Sequence, residues 1–303
     1  MANWYQIHER GAGHMRMEIL WWVYRICGLR VLKRLVGIIS FFIAIGARAG
    51  RVASRKYKQV LNNYERNHNL EISRFSSVSH IRAFACSVVD KMSAICDGKT
   101  PICFAINEDA EWKSLQKMLL AGQGAFFMCS HLGNIEALCA IPNATDKKMH
   151  AFMNVGQNSV FRDFIERHAK YKNTVIHPTE FIDVAMAGEM YDALKSGELV
   201  MMAADRISPN APAKVIKSTL LDAGCQLPLG VFRFARACDC PIFAVANVNV
   251  GGEKYKLFVK QIHGTTLDKM AMEYLGFLQE LILKYPKQWF NFFDFFLNST
   301  NQN

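Results

Sequence analysis

The chain has 303 residues, 51% apolar and 20% charged, which excludes an intrinsically disordered protein and allows a sizeable buried core. Nine cysteines without close pairing read as free thiols in a reducing compartment, not as a disulfide framework. The net charge is +10, but eleven cations and only two acids fall in residues 1–60, so the remaining body is close to neutral.

Residues 15–60 are helix-compatible throughout and contain no proline. Trp21, Trp22 and Tyr24 are of the types favoured at a membrane–water boundary. Leu35 to Ala47 is an apolar run of 13 residues between Arg34 and Arg48, whereas a spanning helix needs about 20. Extending the run back to Ile19 would enclose Arg25, Arg30, Lys33 and Arg34, each costing roughly 2.5–3.5 kcal/mol at mid-membrane. One straight crossing is therefore not expected. Arg48, Arg51, Arg55 and Lys58 then recur at spacings of three and four, a cationic stripe on one helical face. Apolar run, aromatic anchors and stripe together predict a monotopic or re-entrant membrane attachment over residues 1–62, with Trp21, Trp22, Arg48, Arg51 and Arg55 as its contact residues. The competing reading is a core-packed helical hairpin with a solvated face. No nucleic-acid reader motif accompanies the charge, and no cleavable signal peptide is expected from the first residues.

Residues 63–303 are expected to form the catalytic domain. The spacing of Phe75, Val78, Ile81, Phe84, Val88, Met92 and Ile95 predicts an amphipathic helix over 72–97, and 111–120 reads as another. Ala125 to Cys129 reads as a buried strand that stops at Ser130-His131; a Gly133-Asn134 turn and a helix-compatible segment follow. Thereafter strands are predicted at 148–153, 174–177, 199–204, 214–221, 241–250 and 254–261, the last two paired across Gly251-Gly252. Helices are predicted at 159–171, 182–194, 229–237 and 266–284. The alternation implies an α/β fold with a mostly parallel or mixed sheet flanked by helices. In such sheets ligands bind at the carboxyl ends of the strands, where Ser130-His131 and Asp205-Arg206 both fall.

His131 with Glu136 five residues on is the minimum equipment for general-base chemistry, because a carboxylate orients the imidazole and stabilises its cation. The sequence has no Gly-x-Ser-x-Gly elbow, phosphate loop or dinucleotide fingerprint. His150, His168, His177 and His263 are dispersed, and Cys238-Asp-Cys240 has poor ligand spacing, so no metal site is expected. A base without a protein nucleophile suits direct transfer to a substrate hydroxyl or amine.

The block Ser130-His131-Leu-Gly-Asn-Ile-Glu136 resembles the His-x4-Asp/Glu motif of the lysophospholipid acyltransferase superfamily, and more closely that of the late lauroyl/myristoyl acyltransferases of lipid A biosynthesis. Three further blocks are similar in order: Leu199 to Asp205-Arg206, Cys225 to Pro241-Ile, and Tyr285-Pro286-Lys-Gln288-Trp289. Ile135 stands where that family has tryptophan and Arg206 where it has glutamine, which marks a divergent branch. The resemblance implies a glycerol-phosphate-acyltransferase-like fold at the cytoplasmic face of a bacterial inner membrane. It also implies an acyl-carrier-protein or acyl-CoA thioester donor, a lipid or glycolipid acceptor, and no cofactor or metal. His131 would be the general base, charged and oriented by Glu136. Backbone N–H groups after Gly133-Asn134 would hold the oxyanion, with Asn134 either capping that helix or touching substrate. Asp205 and Arg206 would line the acceptor or pantetheine end, Arg206 alternatively forming a surface ion pair. Gln288 and Trp289 are read as packing for the last helix. An inactive scaffold of the same fold and a thioester or ester hydrolase are the competing functions.

Overall fold

The computed structural model describes residues 14–97, 110–135, 138, 147–153, 163–164, 167–168, 173–179, 182–207, 213–252 and 254–297. The chain opens with α1 (His14–Gly46), which bends at Gly28, and α2 (Arg48–His68). Gly28 holds φ 78°, a conformation glycine adopts without steric cost and one that interrupts the helical path. The second half of α1 turns its small residues inward: Ser40 and Ala44 are buried, and Gly37 packs against the guanidinium of Arg82. Its bulky residues point out, with Ile38 61% and Phe42 66% exposed. Among the described residues no helix is long and apolar enough to cross a membrane.

Helix α3 (Ser77–Asp97) starts later than periodicity predicts because Ser76 and Ser79 cap it reciprocally, each side-chain oxygen accepting the other's backbone N–H at 3.0 Å. Tyr24 and Lys33 of α1 reach it, the hydroxyl of Tyr24 to Ser93 at 3.0 Å and the ammonium of Lys33 to Asp90 at 2.7 Å. Helix α4 (Ala110–Leu120) then leads into β1 (Ala125–Cys129), all five of whose residues are buried. The remaining elements are β2 (Met149–Met153), β3 (Thr174–Pro178), α5 (Val184–Lys195), β4 (Leu199–Ala203), β5 (Val215–Leu220), β6 (Ala223–Pro228), α6 (Leu229–Ala237), β7 (Ile242–Gly251), β8 (Lys254–Ile262) and α7 (Leu267–Lys284).

The fold is α/β, with a mixed central sheet in the order β3-β2-β4-β1-β7-β8. Its first five strands run parallel, and β8 pairs antiparallel with β7. One difference from the sequence reading concerns β5. It forms a separate two-stranded hairpin with β6 and does not join the central sheet. Leu221 and Asp222 make the turn with φ 54° and 59°, the two positive values a tight hairpin turn requires. A Leu-Asp pair carries none of the usual Asn-Gly signal, so β6 was hidden in the approach to α6. A second difference concerns the boundary at residue 62, which falls inside α2. Tyr57, Leu61 and Tyr64 of that helix belong to the same apolar core as Phe126, Val200 and Trp289. The predicted helix at 159–171 lies largely outside the described residues; Asp163, Phe164, Arg167 and His168 are helical.

Candidate active site

Strands β1 and β4 are neighbours in register, Cys129 opposite Ala203, and the Ala204 N–H donates to the Cys129 carbonyl at 2.9 Å. Two residues beyond that pair on each strand stand His131 and Asp205, brought side by side at the carboxyl edge of the sheet. His131 Nδ1 lies 2.7 Å from Asp205 Oδ1, and the His131 backbone N–H donates to Oδ2 at 2.8 Å. The Asp205 side chain is fully buried, and that of His131 is 25% exposed. Burial opposes ionisation of Asp205, but the opposing charges and hydrogen bonds of His131, with Arg206 adding to them, outweigh it and hold the carboxyl below its ordinary range. An ionised carboxylate only accepts, so Nδ1 carries the proton and Nε2 is the basic atom.

A third donor completes this arrangement from the far end of the chain. The Trp289 indole N–H reaches Asp205 Oδ2 at 3.2 Å. Trp289 follows a 3-10 turn (Pro286–Gln288) and bridges antiparallel to Leu132. The Gly133 N–H donates to the Gln288 carbonyl at 2.9 Å and the Phe290 N–H to the His131 carbonyl at 2.8 Å, so the C-terminal segment runs as a short ladder along the His131 loop. The Gln288 amide grips both backbone groups of Asn249 on β7, at 2.9 and 2.7 Å. His80 of α3 donates through Nε2 to the Trp289 carbonyl at 2.9 Å and accepts at Nδ1 from Ser54 of α2 at 3.1 Å. Burial lowers the His80 pKa to about 4, so it is neutral, as these two bonds require.

Gly133 and Asn134 are buried, and their N–H groups are committed within the protein, to the carbonyls of Gln288 at 2.9 Å and Asn247 at 2.7 Å. Gly133 must be glycine: its φ is +73°, and a Cβ there would lie 2.1 Å from the Asn247 carbonyl oxygen. The two residues therefore bracket the strand end against β7 and do not present N–H donors to an oxyanion. Ile135 and Leu138 beyond them are 3-10 helical. Glu136, the predicted partner of His131, lies outside the described residues. Asp205 pairs with His131, and Arg206 is half-buried with its guanidinium carbon 5.8 Å from the Phe293 ring centre.

The predicted membrane residues divide. Trp22 is 64% exposed, and Arg48 and Arg55 are exposed. Trp21 instead packs against Tyr24, Phe164 and His168. Arg51 turns back to donate to the carbonyls of Ala44 and Ile45, capping the end of α1. The dispersed histidines also partly converge: His150 Nδ1 lies 2.8 Å from His177 Nε2, and His150 Nε2 lies 2.6 Å from Glu198.

The participation of Trp289, His80 and Tyr274, whose hydroxyl donates to the Cys129 carbonyl at 3.0 Å, was not foreseen. Only the block Pro286-Lys-Gln288-Trp289 hinted at it, and no local pattern connects residue 289 with residue 205. Among known proteins, no family model matches the chain and no curated protein matches it.

Proposed function

We propose that this chain is a membrane-associated acyltransferase. It moves a fatty acyl group from an acyl-carrier-protein or CoA thioester to a hydroxyl or amine of a lipid or glycolipid acceptor. The observation that carries the reading is the His131–Asp205 pair at the carboxyl edge of adjacent parallel strands, with Nε2 as the basic atom. The four sequence blocks that resemble the lipid A late acyltransferases direct that base toward acyl transfer. In the reaction, Nε2 takes the proton of the acceptor O–H or N–H as the heteroatom attacks the thioester carbonyl. The new C–O or C–N bond forms, and negative charge develops on the carbonyl oxygen. Collapse breaks the C–S bond, and the leaving thiolate takes the proton from the imidazolium. Asp205, ionised and buried, stabilises that cation while it lasts. Glu136 is proposed to add to the same field. Since Gly133 and Asn134 spend their N–H groups on carbonyls, the oxyanion donors are sought beyond Asn134.

Attachment to a membrane surface is supported by the exposed bulky face of α1 and the exposed cations Arg25, Arg30, Arg34, Arg48 and Arg55; the cytoplasmic face of a bacterial inner membrane is proposed on the resemblance alone. Small residues packed inward and large apolar ones outward is the opposite of a water-facing helix.

The test incubates the purified full chain with labelled acyl-carrier-protein thioester and total bacterial lipid. Label in a lipid product is the expected result, and His131→Ala should lower it by about 10²–10⁴-fold. Free fatty acid alone would identify a hydrolase, and transfer undiminished in His131→Ala would overturn the mechanism.

A further inference from the structure

We propose that Trp289 is a positioning residue for the His131–Asp205 pair: its indole N–H fixes the carboxylate and tempers the pull of Asp205 on the imidazole proton. The kinetic part of this inference rests on the acyltransferase reading; the structural part does not. Asp205 Oδ2 accepts two N–H groups, one from the His131 backbone at 2.8 Å and one from Trp289 at 3.2 Å, while Oδ1 accepts from the imidazole at 2.7 Å. Three donors around a fully buried carboxylate leave it little freedom to rotate. A carboxylate that swung about its Cβ–Cγ bond would carry the imidazole with it, and Nε2 would leave the line of approach to the substrate. The indole itself is immobilised. Trp289 is fully buried, stands edge-on to Tyr57 at 5.1 Å and Phe295 at 4.9 Å, and is held through its carbonyl by His80. Partners one step removed from a reacting histidine work by this kind of locked geometry.

The donor also has an electrostatic consequence. Each N–H given to Asp205 disperses charge that would otherwise hold the Nδ1 proton. Removing the indole N–H makes Asp205 a stronger partner for the imidazolium, so His131 should hold its proton to higher pH. The other groups facing the pair are Arg206 on the same loop, Tyr274 from α7 and, behind Trp289, His80 from α3 with Tyr57 from α2. None of these donates to Asp205 Oδ2 in place of the indole among the described residues.

The experiment compares the full wild-type chain, Trp289→Phe and Tyr57→Phe in detergent micelles with 15N-labelled histidine. The His131 signal is identified by its loss in His131→Ala. Trp289→Phe is expected to raise the His131 titration midpoint by about half a pH unit. It should also lower kcat for acyl transfer about tenfold with KM little changed, the acid limb of the rate profile following the midpoint. Tyr57→Phe removes the bond to the Pro286 carbonyl but leaves the indole N–H; it should lower the melting temperature and leave the midpoint in place. A folded Trp289→Phe whose midpoint does not move, or a Tyr57→Phe whose midpoint moves as far, overturns the proposal. Should Trp289→Phe not fold, β-(3-benzothienyl)alanine at 289 keeps the bicyclic ring without the N–H, and the same two outcomes decide. A midpoint that moves in a chain without acyl transfer would retain this inference and sink the acyltransferase reading; the converse result would do the reverse.

Discussion

A buried histidine ties the N-terminal helices to the site. His80 spends one ring nitrogen on Ser54 and the other on the Trp289 carbonyl, which demands a neutral ring, and burial holds its pKa at about 4. The unfolded chain takes up that proton below about pH 6.5. Above that value both states are neutral and His80 costs nothing. Between pH 6.5 and 4 the unfolded state binds more protons, so stability falls as pH drops, by about 3 kcal/mol in all. Thermal melts of the wild type and His80→Gln across pH 4–7 should show this as a difference that narrows toward low pH. A difference independent of pH would mean that His80 contributes packing alone. The prediction could not be made from sequence, because the desolvation of His80 comes from helices and a C-terminal segment joined only in the fold.

At the scale of elements, α1 and α2 show how one cationic, apolar stretch splits into inward and outward faces. Gly37, Ser40 and Ala44 share a face that meets α3, leaving Ile38, Ile39, Phe41, Phe42 and Ile45 outward. Trp22 belongs with the outward set, whereas Trp21 packs on Phe164 and His168. Co-sedimentation with phosphatidylethanolamine/phosphatidylglycerol vesicles checks the assignment. Ile38→Asp with Phe42→Asp should abolish binding, and Arg48→Glu or Arg55→Glu should weaken it by about 1 kcal/mol each, the weakening disappearing at high salt. Trp21→Ala should lower thermal stability more than it lowers binding. If the aspartate pair bound as well as wild type, the outward face would need another occupant. Helix-compatible composition without proline identified this stretch correctly as helical. It did not separate the adjacent tryptophans, because neighbouring helical positions differ by about 100° and only packing against α3, Phe164 and His168 decides which side is inside.

For the molecule as a whole, the N-terminal helices and the α/β body share one core. Tyr57, Leu61 and Tyr64 of α2 lie in the main core, the Tyr57 hydroxyl holds the Pro286 carbonyl at 2.9 Å, and Lys56 pairs with Asp294 at 2.6 Å. Helix α1 is joined to α3 through Leu32, 1% exposed, and through the Lys33–Asp90 ion pair. A chain beginning at residue 63 would lose two of those core side chains, at roughly 2–5 kcal/mol each, against a total stability of about 5–15 kcal/mol. Expressed alone it is expected to be digested by trypsin under conditions where the full chain resists. A protease-resistant, cooperatively melting fragment from residue 63 would restore the two-domain division.

Local pattern determined most of the elements, the α/β class, the strand that delivers His131 and the strand that delivers Asp205. Buried strands and amphipathic helices write their period directly into the chain, and parallel sheets present their strand ends as sites. The tertiary structure alone decided that those two strands are neighbours in register, so that His131 meets a carboxylate 74 residues away. It alone brought Trp289 to the far side of that carboxylate and committed the Gly133 and Asn134 N–H groups to other carbonyls. The physical reason is that sheet order and the docking of the C-terminal segment depend on which apolar faces close one core. No short window of sequence contains both partners of such a contact.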